Sequence, residues 1–388
     1  MASVINKFLR NCVTKVTNKE QPLTVVLGNE GGDMDSIVGS IYLAFLLDLT
    51  NKWNIVNPVP AVNFPLEDLA LRNDVVKLFQ EVGIDASLLM SVQEGQSPDR
   101  YIDLAALDAG VYLYDHNKLA GDQAVFESKV VGIVDHHADE KRCDYLSHHR
   151  RIIKTVGSAC TIVAEGYQVS EVDVPCPVLL DAPIILDTVN FDLSQRKATP
   201  EDIAMHQWLC RRIEDESYDT QAIYNKLIRW KHDVLSLTVT ENLRRDYKKF
   251  DFLSSFKKSV IVTGTSSVPC SCQQFEAKYG VQEIVVKTVK FMQERKLDVL
   301  IFAFAGKVGG KHSRDLAFCA KPEILEVLSP FIADSSDGVV FSLITESSTK
   351  DKNYSYVSYS LSDPTVSRKR LVPVLQKFLA EGGARSVL

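Results

Sequence analysis

The stretch "VVLGNEGGDMDSIVGS", residues 25–40, runs from an apolar segment through a turn to two aspartates, Asp33 and Asp35. "LTVVLG" (23–28) has the β-branched density of a buried strand. "MDSIVGSIYLAFLLDLTN" after it is apolar all round, which predicts a buried helix. A strand that passes into a helix through a glycine-rich turn begins a parallel β-α unit. Carboxylates at that passage lie at the carboxyl edge of the sheet, where such folds bind ligands.

The same grammar recurs downstream. "NPVPAVNF", "AGVYLYD" and "SKVVGIVDHH" are strand candidates, and "EDLALRNDVVKLFQEVG" is an amphipathic helix closed by Gly83. "PVLLDAPIILDTVNF" begins helix-like and carries Asp187 near its end. The alternation predicts an α/β class protein whose N-terminal domain, residues 1–215, has a mostly parallel sheet flanked by helices. Residues 200–234 turn helical and highly charged, as a connector would. A smaller C-terminal α/β domain, residues 216–388, follows with strands at "SVIVTGTSS", "LDVLIFAFAG", "RDLAFCA" and "GVVFSLIT".

Composition narrows the class. The 388 residues suit two domains, and 45% apolar with 24% charged residues is ordinary for a globular chain. A net charge of -6 supplies no global positive field, so nucleic acid is not an expected partner. No run approaches the roughly 18 apolar residues of a membrane span. The N-terminal "MASVINKFLRNCVTKVTNKEQP" reads as an amphipathic helix or a weak organelle signal. Eight scattered cysteines without a CxxC pair read as reduced thiols.

Four acidic motifs carry the chemistry. Asp33 with Asp35 is the first; Asp115 in "VYLYDHN", Asp135-His136-His137 in "VVGIVDHH" and Asp187 in "PIILDTVN" are the others. Each has a plainer reading, since an aspartate after a strand is often a helix cap. Together, on neighbouring parallel strands, they would gather along one edge. Several carboxylates cannot crowd there ionised unless cations neutralise them. Carboxylate oxygens with one or two imidazoles suit divalent ions such as Mg²⁺ and Mn²⁺. His148 and His149 in "LSHHRR" follow no apolar run and read as surface residues.

Three basic runs supply the complement of such a site: "LRRDYKKF" (243–250), "GGKHSRD" (309–315) and "SRKR" (367–370). Singly each reads as a solvated face. Opposite an acidic metal cluster they suggest a cleft for a phosphorylated ligand, with arginines suited to phosphate oxygens.

These motifs resemble the DHH phosphoesterases, in the branch with a DHHA2 second domain that holds family II inorganic pyrophosphatases, prune-type phosphodiesterases and cytosolic exopolyphosphatases. The similarity runs from Leu23 to Val374. "GNEGGDMDS", "DLALRNDV", "GIVDHH" and "RRDYKKF" look most like the fungal and protozoan exopolyphosphatases. The resemblance implies metal ligands at Asn29, Asp33, Asp35, Asp115, His136 and Asp187, with Asp115 bridging. His137 would face the substrate phosphate, and Asp135 would orient the histidine pair. Substrate phosphates would meet Lys248, Arg368 and Lys369, and also His312, Arg314 and Arg72.

The implied cofactors are two divalent ions, Mg²⁺ preferred, with Mn²⁺, Co²⁺ or Zn²⁺ as alternatives. The pyrophosphatases open their first motif with histidine, where this chain has Asn29. A neutral carbonyl there would weaken and harden one metal position. The implied reaction is release of terminal orthophosphate from linear polyphosphate. Pyrophosphate hydrolysis, a prune-like nucleotide phosphodiesterase on the same site and a non-catalytic interaction scaffold are the alternatives. The implied compartment is the cytoplasm, or else a polyphosphate-storing acidic organelle.

Overall fold

The computed structural model describes residues 2–255, 259–333, 339–349, 353–366 and 368–380, with the backbone alone for Lys52, Ala333, Arg368 and Lys369. The chain forms two units, Met1–Lys231 and His232–Leu388.

The first unit opens on helix α1 (Ala2–Thr17), whose Ile5, Phe8, Leu9 and Cys12 are buried at helical spacing. That is the amphipathic helix of the N-terminal expectation. Strand β1 (Leu23–Leu27) is buried at every residue. It leads into α2 (Met34–Thr50), which is buried on all sides from Met34 to Leu47, as its unbroken apolar character requires. Strand β2 (Pro58–Ala61) and helix α3 (Asn73–Val82) follow. The amphipathic run before Gly83 is thus two pieces, a 3₁₀ turn at Leu66–Leu71 and then α3, which Gly83 ends in the left-handed region. Strands β3 (Ala109–Tyr114), β4 (Val130–Asp135) and β5 (Arg151–Ile153) come next.

These strands form a wholly parallel sheet in the order β2-β1-β3-β4-β5. Strand order reverses at β1, so the crevice between the carboxyl ends of β1 and β3 is the topological switch point, the preferred ligand position of such sheets. The short β5 begins at Arg151, the last residue of "LSHHRR", and three residues are too few to carry a periodic signal.

Four helices complete the unit: α4 (Ala159–Val169), α5 (Pro177–Asp187), α6 (Pro200–Cys210) and α7 (Thr220–His232). The charged stretch after residue 200 is not a connector. Met205, Trp208 and Leu209 of α6 and Leu227 of α7 are buried in the first unit's core. The division into units falls after Lys231, sixteen residues beyond the expected boundary at 215.

In the second unit, α8 (Val239–Arg245), β6 (Tyr247–Ser254), β7 (Ser259–Val268), α9 (Cys272–Tyr279), α10 (Val281–Arg295), β8 (Val299–Val308) and β9 (Lys311–Ala320) lead to α11 (Pro322–Ala333). Strands β10 (Phe341–Ser348) and β11 (Ser355–Leu361) and helix α12 (Arg368–Ala380) close it. The sheet order is β10-β11-β9-β8-β7-β6, and β7·β8 is the parallel pair among antiparallel neighbours. Residues of β8 alternate between two cores. Leu300, Phe302 and Phe304 join one, while Val299, Ile301 and Ala303 join the other, so both faces of the sheet are covered. β6 and β11 were hidden within a basic run and a serine-tyrosine alternation.

Candidate metal centre

Asp33 caps α2, its carboxylate accepting from Ser36 N at 3.1 Å. The plain helix-cap reading is therefore true of Asp33, and a cap oxygen leaves its partner oxygen free for another role. Gly32, one residue earlier, has φ +56, and a Cβ there would fall 2.1 Å from the Phe64 ring, so the turn admits only glycine.

Asp35 points the other way, into the unit. Only 2% of it is exposed. The α4 N-terminus holds it, with Ala159 N donating at 2.7 Å and Cys160 N at 2.9 Å, and Tyr114 OH donating at 3.1 Å. Backbone donors at a helix start are a strong means of keeping a buried carboxylate.

Asp115 follows β3 with φ 62, a left-handed conformation that aspartate tolerates better than most residues. Asn29 Nδ2 donates to its Oδ2 at 2.7 Å. Its Oδ1 is buried and accepts no hydrogen bond, although His136 Nε2 lies 3.3 Å away and His137 Nδ1 3.7 Å. Burial and the neighbouring Asp35 charge raise the Asp115 carboxyl well above the usual range.

The histidine pair is oriented from behind. Asp135, fully buried, accepts from His136 N, His137 N and His137 Nδ1 on one oxygen, at 2.8, 3.2 and 2.8 Å. Burial raises its carboxyl, but hydrogen bonds from His137 and Asn117 outweigh this and hold it below the ordinary value. His136 Nδ1 lies 2.9 Å from Val156 O, so it carries a proton, and Nε2 faces Asp115 and Asp35. Burial opposes charge on His136, yet Asp115 and Asp35 prevail and raise its pKa. His137, with a side chain 57% exposed, spends Nδ1 on Asp135 and leaves Nε2 to the open side.

Asp187 is not at a strand end. It is the last residue of α5, because the apolar run before it closes as a buried helix. Burial raises its carboxyl strongly, and the charges of Asp35, Asp33 and Asp115 add to that, so the four carboxylates share one field. Lys231 on α7 acts in the opposite sense on both Asp33 and Asp187. Nothing in its sequence context distinguishes Lys231 from a surface lysine.

The donor set fits hard divalent ions: carboxylates and a partly buried imidazole nitrogen, with one orphaned oxygen on Asp115. The carboxyls of Asp115 and Asp187 and the His136 imidazole are all driven toward their protonated forms. Those protons mark where cationic charge belongs.

Asn29, an expected ligand, is hydrogen-bonded here at both ends of its side-chain amide. Its Oδ1 accepts from Gly32 N at 2.8 Å and its amide nitrogen serves Asp115, so the amide braces the loop and Asp115 at once. Arg72 also works on this loop. It donates to Gly32 O at 3.2 Å, Gly31 O at 2.7 Å and Asp68 O at 2.9 Å, and its guanidinium lies 3.8 Å from the Phe64 ring centre. Asn117 had no part in the expected set. It is 3% exposed and bonds Asp135 Oδ2, Ala138 O and Glu140 N. Its signal was its place two residues past Asp115, as a further polar group ending an apolar strand.

Two of the expected substrate cations of the second unit lie far apart. Lys248 is exposed on the edge strand β6, and His312 is exposed on β9. The register puts Lys248 in the row of Ile301 and His312 in the row of Lys307, about 20 Å apart along the strands. Arg314 donates to Pro364 O at 3.2 Å. The side chains of Arg368 and Lys369 lie outside the described residues; their backbones begin α12.

The first unit is thus a parallel sheet with clustered aspartates and a paired histidine at its switch point, followed in the chain by a second, mixed-sheet unit. Comparison with known proteins gives the class to which this arrangement belongs. Residues 225–378 match the DHHA2 domain family. Exopolyphosphatase PRUNE1 of Homo sapiens is 30% identical over 381 residues, covering 96% of this chain and 79% of that protein. A manganese-dependent inorganic pyrophosphatase of Methanothrix thermoacetophila is 25% identical over 300 residues, covering 76% of this chain and 84% of that protein. The chain belongs to the DHH superfamily of phosphoesterases. Among the described residues no helix is long and apolar enough to cross a membrane.

Proposed function

We propose that this chain is an exopolyphosphatase, removing terminal orthophosphate from linear polyphosphate at a centre holding two divalent ions. The observation that carries this reading is Asp115, whose buried Oδ1 accepts no hydrogen bond while lying between two imidazoles. Its ligands would be Asp33, Asp35, Asp115, His136 and Asp187. Divalent ions bound there supply Lewis acidity, lowering the pKa of water and drawing charge from phosphoryl oxygens.

The chain's own residues do the rest. Asp35 is pre-set by the α4 backbone and Asp115 by Asn29, so neither needs to reorganise when charge develops. His137 is raised above its ordinary pKa, chiefly by its hydrogen bond to Asp135. Held in that protonated form, its exposed Nε2 can donate to the leaving phosphate oxygen. Asp135 stays ionised and buried, fixing the ring and balancing its charge. The polyanion itself is assigned to Lys248, Arg368 and Lys369, with His312 and Arg314, on the second unit. Support comes from the PRUNE1 relative, named as an exopolyphosphatase.

The deciding experiment measures phosphate release from short-chain polyphosphate, long-chain polyphosphate, pyrophosphate and a cyclic nucleotide. Each is run with Mg²⁺, with Mn²⁺ and with chelator. Polyphosphate turnover that needs metal and is lost in Asp115→Asn is expected. Turnover confined to pyrophosphate or the cyclic nucleotide would overturn the substrate assignment, and turnover surviving chelator would overturn the metal centre.

A further inference from the structure

Away from this centre, the facing sides of α5 and α6 bring together a carboxylate, an imidazole and a thiol. Asp181, mid-way along α5, is fully buried. His206 Nδ1 lies 2.9 Å from its Oδ1 and 3.0 Å from its Oδ2. Cys210, one helical turn beyond His206, places Sγ 3.6 Å from Nδ1 and 3.5 Å from Nε2. The three ligand atoms all lie within 4.8 Å of one another.

We propose that Asp181, His206 and Cys210 form a second metal site, for Zn²⁺ or an equally thiophilic divalent ion, that pins α6 to α5. A tetrahedron built from ordinary zinc bonds to nitrogen, oxygen and sulfur has edges of about 3.3–3.6 Å. The two edges that meet at His206 Nδ1, 2.9 Å to Asp181 and 3.6 Å to Cys210, lie within about half an ångström of it, and the oxygen-to-sulfur edge is at most 4.8 Å. Three protein donors leave a fourth position open. The surroundings already orient the set, since Tyr218 OH donates to Asp181 Oδ2 at 2.7 Å and the Phe191 ring packs 4.6 Å from the imidazole. A partner that fixes a ligating carboxylate is the usual support of such sites. Entry is from the Cys210 side, because Cys210 is partly exposed while the other seven cysteines are buried.

Without metal, a proton holds the cluster together. Burial opposes charge on His206, but its bonds to Asp181 and Cys210 prevail and raise its pKa to about 9. An incoming ion replaces the His206 proton, so metal binding releases protons. Ligand softness separates the two sites. The centre at the sheet edge offers oxygen and nitrogen, whereas this one offers sulfur. Asp181 and Asp187 lie six residues apart on α5, about 9 Å along its axis.

The test uses the full chain, stripped with chelator and titrated with Co²⁺ alone. A thiolate ligand gives cobalt a sulfur-to-metal charge-transfer band that oxygen and nitrogen ligands do not. The expected result is such a band saturating at one ion per chain, absent in Cys210→Ser and in His206→Ala, and retained in Asp115→Asn. Zn²⁺ should raise the melting temperature of Asp115→Asn but add nothing when Cys210→Ser is combined with it. No band in the wild-type chain, or one that survives Cys210→Ser, overturns the proposal. The wild-type result stands even where a variant folds poorly.

Discussion

Asn29 Nδ2 donates to Asp115 Oδ2 at 2.7 Å, while Asn29 Oδ1 accepts from Gly32 N at 2.8 Å. One neutral side chain thereby ties the turn after β1 to the aspartate after β3, across the switch point of the sheet. An amide is suited to this because it carries a donor and an acceptor and adds no charge to a crowded field. It also leaves Asp115 Oδ1 free on the other side.

Replacing that amide by a carboxylate should expose its value. In Asn29→Asp a second anion would face Asp115 Oδ2, losing a hydrogen bond and adding repulsion. The cation-free protein should lose on the order of 2 kcal/mol, and added divalent ions should restore part of it. Phosphate release should fall by about 10–100-fold. Melting curves with and without Mn²⁺ check this; an unchanged cation-free melt would mean that Asn29 does not brace Asp115.

Asn117→Ala removes the donor to Asp135 Oδ2 and the clamp on Ala138 and Glu140. With Asp135 under-bonded, His137 loses its fixed orientation. We expect kcat to fall about 10–100-fold with little change in KM, because the loss is in positioning. A rise in KM alone would place Asn117 in substrate binding instead.

At Gly39 a Cβ would sit 1.8 Å from the Tyr114 hydroxyl, the group that donates to Asp35 Oδ1. Gly39→Ala should cost about 1–3 kcal/mol and lower activity by displacing Asp35. Gly121 has nothing within 4 Å of its Cβ position, so Gly121→Ala should be neutral or stabilising by up to about 1 kcal/mol. Denaturant melts of the two variants compare them directly, and equal effects would show that the Tyr114 contact is not tight.

The His206–Asp181 pair predicts a pH dependence in chelator-treated protein. His206 is raised in the folded state to about 9, above its ordinary value near 6.5. Its protonated form therefore stabilises the fold fully below about pH 6.5, and that contribution is lost as pH rises through about 9. On the order of 1–3 kcal/mol should disappear across this window. His206→Gln should flatten the dependence, which thermal melts at pH 6 and pH 9.5 would reveal.

Much of the first unit was legible because its signals are local. An apolar strand, a tight glycine turn and a buried helix are written in consecutive residues, and the Asp-His-His end of β4 stands out against its apolar run. Asp187 was legible as a candidate but not in its setting. Apolar runs buried on all sides look alike whether they become strand or helix, and this one became α5. α6 and α7 looked like a connector because their charged faces dominate the composition, although Met205, Trp208, Leu209 and Leu227 are buried.

The sequence by itself determined which residues could carry the chemistry, since residue type and position at a strand or helix end are properties of the chain. Tertiary structure decided what each one does. Asn29 braces Asp115 and the turn, and Arg72 fastens the turn's carbonyls. The physical reason is that donors and acceptors are matched across long separations, 86 residues from Asn29 to Asp115 and 124 from Asp35 to Ala159. No local pattern encodes such matches, and only the folded sheet edge brings them within bonding distance.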